Sequence, residues 1–255
     1  MATPLMKTLP RVVDEAEWRA ARRRLLDEEK ELTHRRDAVN AARRDLPMLE
    51  ITTGYAFTAP DGSRRTLLDL FEGRRQLIVY HFMFDPDWDE GCPSCSYTVD
   101  NIGHLSHLHA RNTTLALVSR APVGKLAAYR ERMGWDVPWY SSQGSTFNYD
   151  MHVTLDPAVA PVEYNFRDLD DLVRTEGHAW SDWAGEMPGI STYLRDDDRV
   201  FLTYVSYARG IDLVVGTNNW LDLTVLGRQE NWEQPAGRAD GPFMHWLRRH
   251  DQYDR

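Results

Sequence analysis

The chain has 255 residues, 42% hydrophobic and 27% charged, the ordinary balance of a globular protein large enough for one core domain with additions. Its formal net charge of −9 excludes a general nucleic-acid binder, which needs a basic face to displace counterions. No apolar run reaches the length of a membrane span, and Met1 to Arg11 lacks the apolar centre of a secretory leader; a cytoplasmic protein with no membrane partner is predicted.

The first element is a long helix over Asp14 to Arg44, within an N-terminal helical extension at 1–48. Asp14 is the expected N-cap, Glu17 completes a capping box, and Val13 with Trp18 forms a hydrophobic staple. Trp18, Leu25, Leu32 and Val39 recur once per heptad between charged positions. That stripe suits packing against the parent domain or a homodimer contact. Leu46-Pro47 closes the helix.

Glu50 to Phe57 reads as a strand, followed by a turn at Pro60-Asp61-Gly62-Ser63 and a helical turn over Thr66 to Phe71. Gln76 to Phe84 is almost continuously apolar, the pattern of a strand buried on both faces. A loop from Asp85 to Gly91 leads to Cys92-Pro93-Ser94-Cys95, and a helix from Pro93 to His109 is predicted behind it. A strand at Thr113 to Ser119, a helix at Val123 to Met133 stopped by Gly134, and a strand at Met151 to Leu155 follow. Residues 156–187 read as an insertion with one helical piece. Ile190 to Leu194 and Arg199 to Tyr207 form a hairpin around Asp196-Asp197-Asp198. A tail over 228–255 carries a short helix at Gly241 to His250. This order predicts an α/β fold with a mixed central sheet flanked by helices, its main domain spanning 49–227.

Both cysteines of the chain fall in one C-x-x-C between a buried strand and a helix start, the context of a thioredoxin-like redox pair. A thiolate attacks a disulfide, so one cysteine must ionise readily. Cys92, at the helix start, meets unpaired amides and the positive end of the helix dipole, and is expected to attack; Cys95, one turn on, is expected to resolve. Asp85, Asp87, Asp89 and Glu90 put negative charge before Cys92, which should hold its acidity in check.

The runs EWRAARRRLLDEEKELT, CPSC, VSRAP, RMGWDVPWYSS, FNYD and LDLTVLGRQE resemble a bacterial family of thioredoxin-like proteins, domain of unknown function 899, over nearly the whole chain. The resemblance implies a thioredoxin fold and dithiol–disulfide oxidoreductase activity. The expected partners are a disulfide-containing protein or small-molecule substrate and a thioredoxin- or glutathione-type reductant, with no cofactor and no metal. A more distant likeness is to peroxiredoxins, which commonly show R-x-T-F-x-I-D; here Ile190 stands where that arginine would be, and Asp89-Glu90-Gly91 lacks the peroxidatic threonine. Peroxidase activity is therefore not expected. The thioredoxin likeness further implies a cis-proline opposite the cysteines, with Pro188 and Pro138 as the candidates. Trp88, Trp135, Trp139 and Tyr140 could line an apolar entrance to the thiols, with Pro188 beside them, or serve as packing aromatics.

Other readings compete. Cys92, Cys95, His104 and His107 have zinc-like spacing, but a continuous helix puts Cys95 and His104 roughly 13 Å apart, so shared ligation needs a break near Gly103. His81 is either a proton partner beneath the thiols or a hydrogen-bonded core histidine. The cysteines could instead be a redox switch or metal clip on a binding module without disulfide turnover, or serve a specialised thiol-dependent enzyme acting on a small molecule. No G-x-S-x-G, Walker loop or G-x-G-x-x-G is present.

Overall fold

A computed structural model describes residues 9–239 and 241–253, and the chain divides into two compact units. Most of the stretch read for a leader lies outside the described residues. No helix among the described residues is long and apolar enough to cross a membrane.

One unit comprises Met1–Pro47 and Trp220–Trp246. Its long helix, α1 (Glu15–Arg44), starts where the sequence places it: the Asp14 carboxylate accepts the Glu17 N–H at 2.8 Å. Glu15 and Glu17 in the first turn, and Arg43 and Arg44 in the last, complement the helix dipole. Trp18, Leu25, Leu32 and Val39 are all exposed. In the second segment, the buried Glu230 carboxylate accepts from Met244 N–H and Trp246 Nε1–H, both at 3.0 Å.

The other unit comprises Met48–Asn219 and Leu247–Arg255. In chain order it holds β1 (Leu49–Ile51), β2 (Ala56–Thr58), β3 (Arg64–Thr66), β4 (Gln76–His81), α2 (Pro93–Asp100), α3 (Ser106–His109), β5 (Thr113–Ser119), α4 (Val123–Met133) and β6 (Trp139–Ser141). Then come α5 (Phe147–Asp150), β7 (Thr154–Leu155), β8 (Glu163–Tyr164), β9 (Arg167–Asp168), α6 (Leu169–Glu176), β10 (Gly185–Glu186), β11 (Gly189–Asp196) and β12 (Arg199–Tyr207).

Eight strands form one sheet in the order β1-β12-β11-β4-β5-β6-β2-β3, with β4, β5 and β6 parallel and the remaining pairs antiparallel. Its centre, β12-β11-β4-β5, is the thioredoxin arrangement: two parallel strands joined through a helix, extended by an antiparallel hairpin. The hairpin turns at Asp197, whose φ of 53° is left-handed, a conformation a short Asp side chain tolerates. β4 is buried on both faces, as its apolar run requires. Leu77 and Val79 enter one cluster with Val118 and Phe147, whereas Tyr80 and the following Phe82 enter another with Leu117, Leu126 and Trp139.

Several expectations change. The helix from Pro93 does not reach His109; it ends at Asp100, and α3 begins only at Ser106. Asn101 terminates it: its N–H bonds back to Thr98 and Val99 carbonyls, while Oδ1 takes the Thr217 N–H at 2.7 Å. The strand expected over Met151 to Leu155 is only β7, paired with β10 outside the main sheet; the third parallel strand is β6. Residues 156–187 do carry a helical piece, α6, whose N-cap Asp168 accepts the Asp171 N–H. Gly241 to His250 forms turns, with a short 3-10 helix at His250–Gln252.

Candidate active site at the carboxyl edge of the sheet

β4 delivers the chain to the carboxyl edge of the parallel strands, where α/β sheets place their functional groups. Cys92 is the N-cap of α2, and Pro93 occupies the first helical position, where a missing N–H costs nothing. Both cysteines are free thiols, 3.9 Å apart; Cys92 is partly exposed and Cys95 is buried. A single residue of the preceding strand extension touches both. The Met83 carbonyl accepts the Cys92 N–H at 3.1 Å, and the Met83 N–H points at Cys95 Sγ at 3.4 Å.

This geometry separates the two thiols electrostatically. Cys92 is pushed down to about 6, first by the hydrogen bond from the Cys95 thiol, which outweighs the opposing effect of burial. The Ser94 hydroxyl, 3.0 Å from Cys92 Sγ, and the Cys95 and Ser94 N–H groups add to it. Cys95 is pushed well up, chiefly by burial and then by its bond to Cys92; the Tyr80 hydroxyl and the Met83 N–H act the other way. Tyr80 is itself buried, which raises its hydroxyl above the ordinary range and keeps it a hydrogen-bond donor. One thiol is thus poised to ionise, and the other is held as its protonated neighbour.

Two of the four acidic side chains before Cys92 are offset by arginines that the sequence expectation did not include. Asp85 is paired with Arg120 at 2.9 Å, and Glu90 with Arg132 and with Arg249, the latter at 2.8 Å. These arginines lie far away in the sequence and neutralise the carboxylates. Behind Asp85, the buried Glu186 accepts from Thr154 Oγ1 at 3.0 Å and faces Arg120 Nε at 2.8 Å. Burial outweighs the guanidinium and lifts this carboxyl to about 7.

The aromatic candidates separate. Trp88 stays exposed on the loop before the cysteines, its carbonyl accepting from Lys125 Nζ at 2.8 Å. Trp135 packs against Phe82, Tyr129 and Trp139, donates its indole N–H to Asp100 at 2.8 Å, and lines a cleft of about 530 Å³ with Ile102, His104 and Met133. Trp139 cannot line an entrance: it is 1% exposed, packed at a tilt against Phe82 within the core, with its indole N–H on Ser119 Oγ at 3.0 Å. Tyr140 belongs to the cluster on the opposite sheet face from Cys95.

Neither proline is cis; among the described residues the only cis peptide is Gln234–Pro235. Pro188 still precedes β11, whose Gly189 pairs with His81 at the end of β4, and its carbonyl accepts from Tyr164 Oη at 3.1 Å. His81 is a core histidine. Strand alternation sends it to the Phe147 face, away from Tyr80 and the thiols. There Nε2 meets Ser191 Oγ at 2.8 Å, and burial drives the ring down to about 3, so it stays neutral. His104, His107 and His109 fall beyond the end of α2, and no group of three or more His, Cys, Asp or Glu among the described residues is placed to hold a metal ion.

Residues with no role at the site in the sequence reading complete it: Tyr80, the Met83 peptide, Tyr129 and Arg249. Only Tyr80 had a local signal, because alternation along β4 puts it and Phe82 on the face opposite His81.

Strand order and a helix-capping dithiol define a protein of the thioredoxin-like class. The chain belongs to the family described as bacterial protein of unknown function (DUF899), whose profile matches residues 7–253. No curated protein matches it. Solved structures with some similarity include the peroxidoxin BcpB of Mycobacterium tuberculosis, at 14% identity and a TM-score of 0.43 over 68% of this chain and 95% of that one. Peroxiredoxin Q of Xanthomonas campestris is similar at 12% identity and a TM-score of 0.42, over 68% and 96%. A putative protein disulfide isomerase of Bacteroides thetaiotaomicron shows 16% identity and a TM-score of 0.37, over 68% and 91%. At such scores the fold assignment rests on the strand order itself.

Proposed function

We propose that this protein is a thiol–disulfide oxidoreductase in which Cys92 attacks and Cys95 resolves. The observation that carries the reading is the asymmetric pair: a partly exposed Cys92 pushed down to about 6, with a buried, protonated Cys95 3.9 Å behind it. In the reducing direction the Cys92 thiolate attacks one sulfur of a substrate disulfide and expels the other as a thiolate, which takes up a proton. Cys95 then loses its proton and attacks Cys92 Sγ. The second substrate thiol leaves, two electrons have passed to the substrate, and a Cys92–Cys95 disulfide remains. A thiol reductant of the thioredoxin or glutathione class restores the dithiol.

Peroxide reduction is not part of this reading. Ile190 packs against the apolar cluster that holds Cys95, so that position supplies no guanidinium to a peroxide. Turnover tests the proposal: with dithiothreitol as reductant, the protein should accelerate reduction of bis(2-hydroxyethyl) disulfide, and Cys92→Ser should abolish the acceleration. Cys95→Ser should instead accumulate a mixed disulfide on Cys92, visible by intact-mass measurement. Wild-type protein without acceleration and Cys95→Ser without the adduct would return the cysteines to a switch or a clip.

A further inference from the structure

Cys92 is held from both sides of its peptide. On its own side of the helix, its carbonyl accepts from Ser96 N–H at 3.0 Å and Ser96 Oγ at 2.8 Å. On the other side stands Gly91, packed so tightly that a Cβ there would lie 2.7 Å from the Phe82 ring and 3.0 Å from Tyr129. The Gly91 carbonyl is gripped by a residue from the far end of the chain. Arg249 donates to it through Nη2 at 2.6 Å and Nε at 3.2 Å.

The same guanidinium donates to the Tyr129 hydroxyl at 2.7 Å and pairs through Nη1 with Glu90 at 2.8 Å. Tyr129 Oη in turn meets Ser96 Oγ at 2.9 Å. Arg249 therefore reaches the residue before Cys92 directly, and the Cys92 carbonyl through Tyr129 and Ser96. It is itself fixed, with a side chain only 12% exposed, and its segment is tied down by Arg132 Nε on Asp251 at 2.7 Å and His250 Nδ1 on Asp100 at 2.8 Å.

We propose that Arg249 is a positioning residue for the thiol pair, setting through Gly91, Tyr129 and Ser96 where Cys92 sits against the first turn of α2. This inference rests on the dithiol reading. The bidentate fork is what the task needs, because a planar guanidinium holds a carbonyl, a hydroxyl and a carboxylate in one fixed geometry that an ammonium cannot copy. With the brace in place, the Ser94 and Cys95 amides and the Ser94 hydroxyl stay aimed at Cys92 Sγ. Without it, the Gly91–Cys92 peptide loses the guanidinium on its carbonyl and keeps the Cys92 N–H bond to the Met83 carbonyl, so that alignment loosens. The titratable groups facing Cys92 are Cys95 and Tyr80; the charged groups around Gly91 are Glu90, Arg132, Asp251 and Arg249.

The test is the pH dependence of Cys92 alkylation by iodoacetamide in reduced full-length protein, for wild type, Arg249→Met, Arg249→Lys and Tyr129→Phe, with thermal melting in parallel. Arg249→Met should raise the midpoint by about one unit, about a tenfold loss of thiolate at pH values below both midpoints. Arg249→Lys should shift it in the same direction, since the charge remains but the fork is lost. Tyr129→Phe, which keeps the cation and cuts one arm, should give a smaller rise. If Arg249→Met does not fold, Tyr129→Phe decides alone. A lowered melting temperature with unmoved midpoints makes Arg249 merely structural and overturns the proposal. A Lys variant titrating like wild type overturns it in favour of plain charge. Disulfide turnover is a separate readout: wild type without turnover counts against the oxidoreductase, whereas turnover with unmoved midpoints counts against the brace alone.

Discussion

Replacing Cys95 measures how Cys92 is activated. The Cys95 thiol makes the largest lowering contribution to Cys92, ahead of the Ser94 hydroxyl at 3.0 Å. A hydrogen bond to an ionised group contributes about 1.5–3 kcal/mol, and one pKa unit corresponds to about 1.4 kcal/mol. Losing that donor in Cys95→Ala should therefore raise Cys92 from about 6 by about one to two units. At pH 6 the thiolate fraction then falls from about half to about a tenth or less, and alkylation slows roughly five- to fiftyfold. Cys95→Ser, which keeps a donor at that position, should fall between the alanine variant and wild type. Cys92 is the only cysteine left in either variant, so one label reports one site. The assay is the rate of iodoacetamide labelling between pH 4 and 9. A Cys95→Ala midpoint within a few tenths of wild type would refute the idea that the dithiol hydrogen bond activates Cys92.

Other outcomes follow from the packing and the charges. Gly91→Ala places a methyl 2.7 Å from Phe82 in a packed site and should destabilise the fold by about 1–3 kcal/mol in chemical denaturation; an unchanged midpoint would show that the ring gives way. Tyr80→Phe removes a donor from Cys95, so single-turnover reduction should show normal attack by Cys92 but a longer-lived mixed disulfide; an unaltered lifetime would discount Tyr80. Glu186 is lifted to about 7, so between about pH 4.5 and 7 the folded protein holds a proton there that the unfolded chain releases. Its contribution to stability thus falls as pH rises across that window. Glu186→Gln should flatten this part of the profile, and an unchanged slope would place the titration elsewhere.

Much of this was legible because it is local. Asp14 and its capped amide, the two-faced apolar run of β4, the hairpin at Asp197 and the C-x-x-C at a helix start are each written within a few consecutive residues. What escaped is set by distant partners. Nothing between Pro93 and His109 shows that Asn101 will leave the helix to bond Thr217. β6 is three residues between Pro138 and Ser142, too short for a period, and it is a strand because it lies beside β5. Asp85 and Glu90 read as unpaired charge in the sequence because Arg120, Arg132 and Arg249 reach them only in the folded chain. For Trp139 the sequence left an entrance or a packing role open, and its burial decides for packing; no local residue fixes whether Pro138 or Pro188 is cis, and both are trans.

The measurement that bears most directly on the central claim is the reduction potential of the Cys92–Cys95 pair against pH, by equilibration with dithiothreitol or glutathione buffers. The account predicts a reversible two-electron transition, lost in Cys92→Ser. Its potential should fall by about 59 mV per pH unit below about pH 6, where reduction takes up two protons, and by about 30 mV per unit above, where Cys92 stays ionised and one proton is taken up. A pair that forms no reversible disulfide, or a slope that stays near 59 mV beyond pH 8, would contradict it.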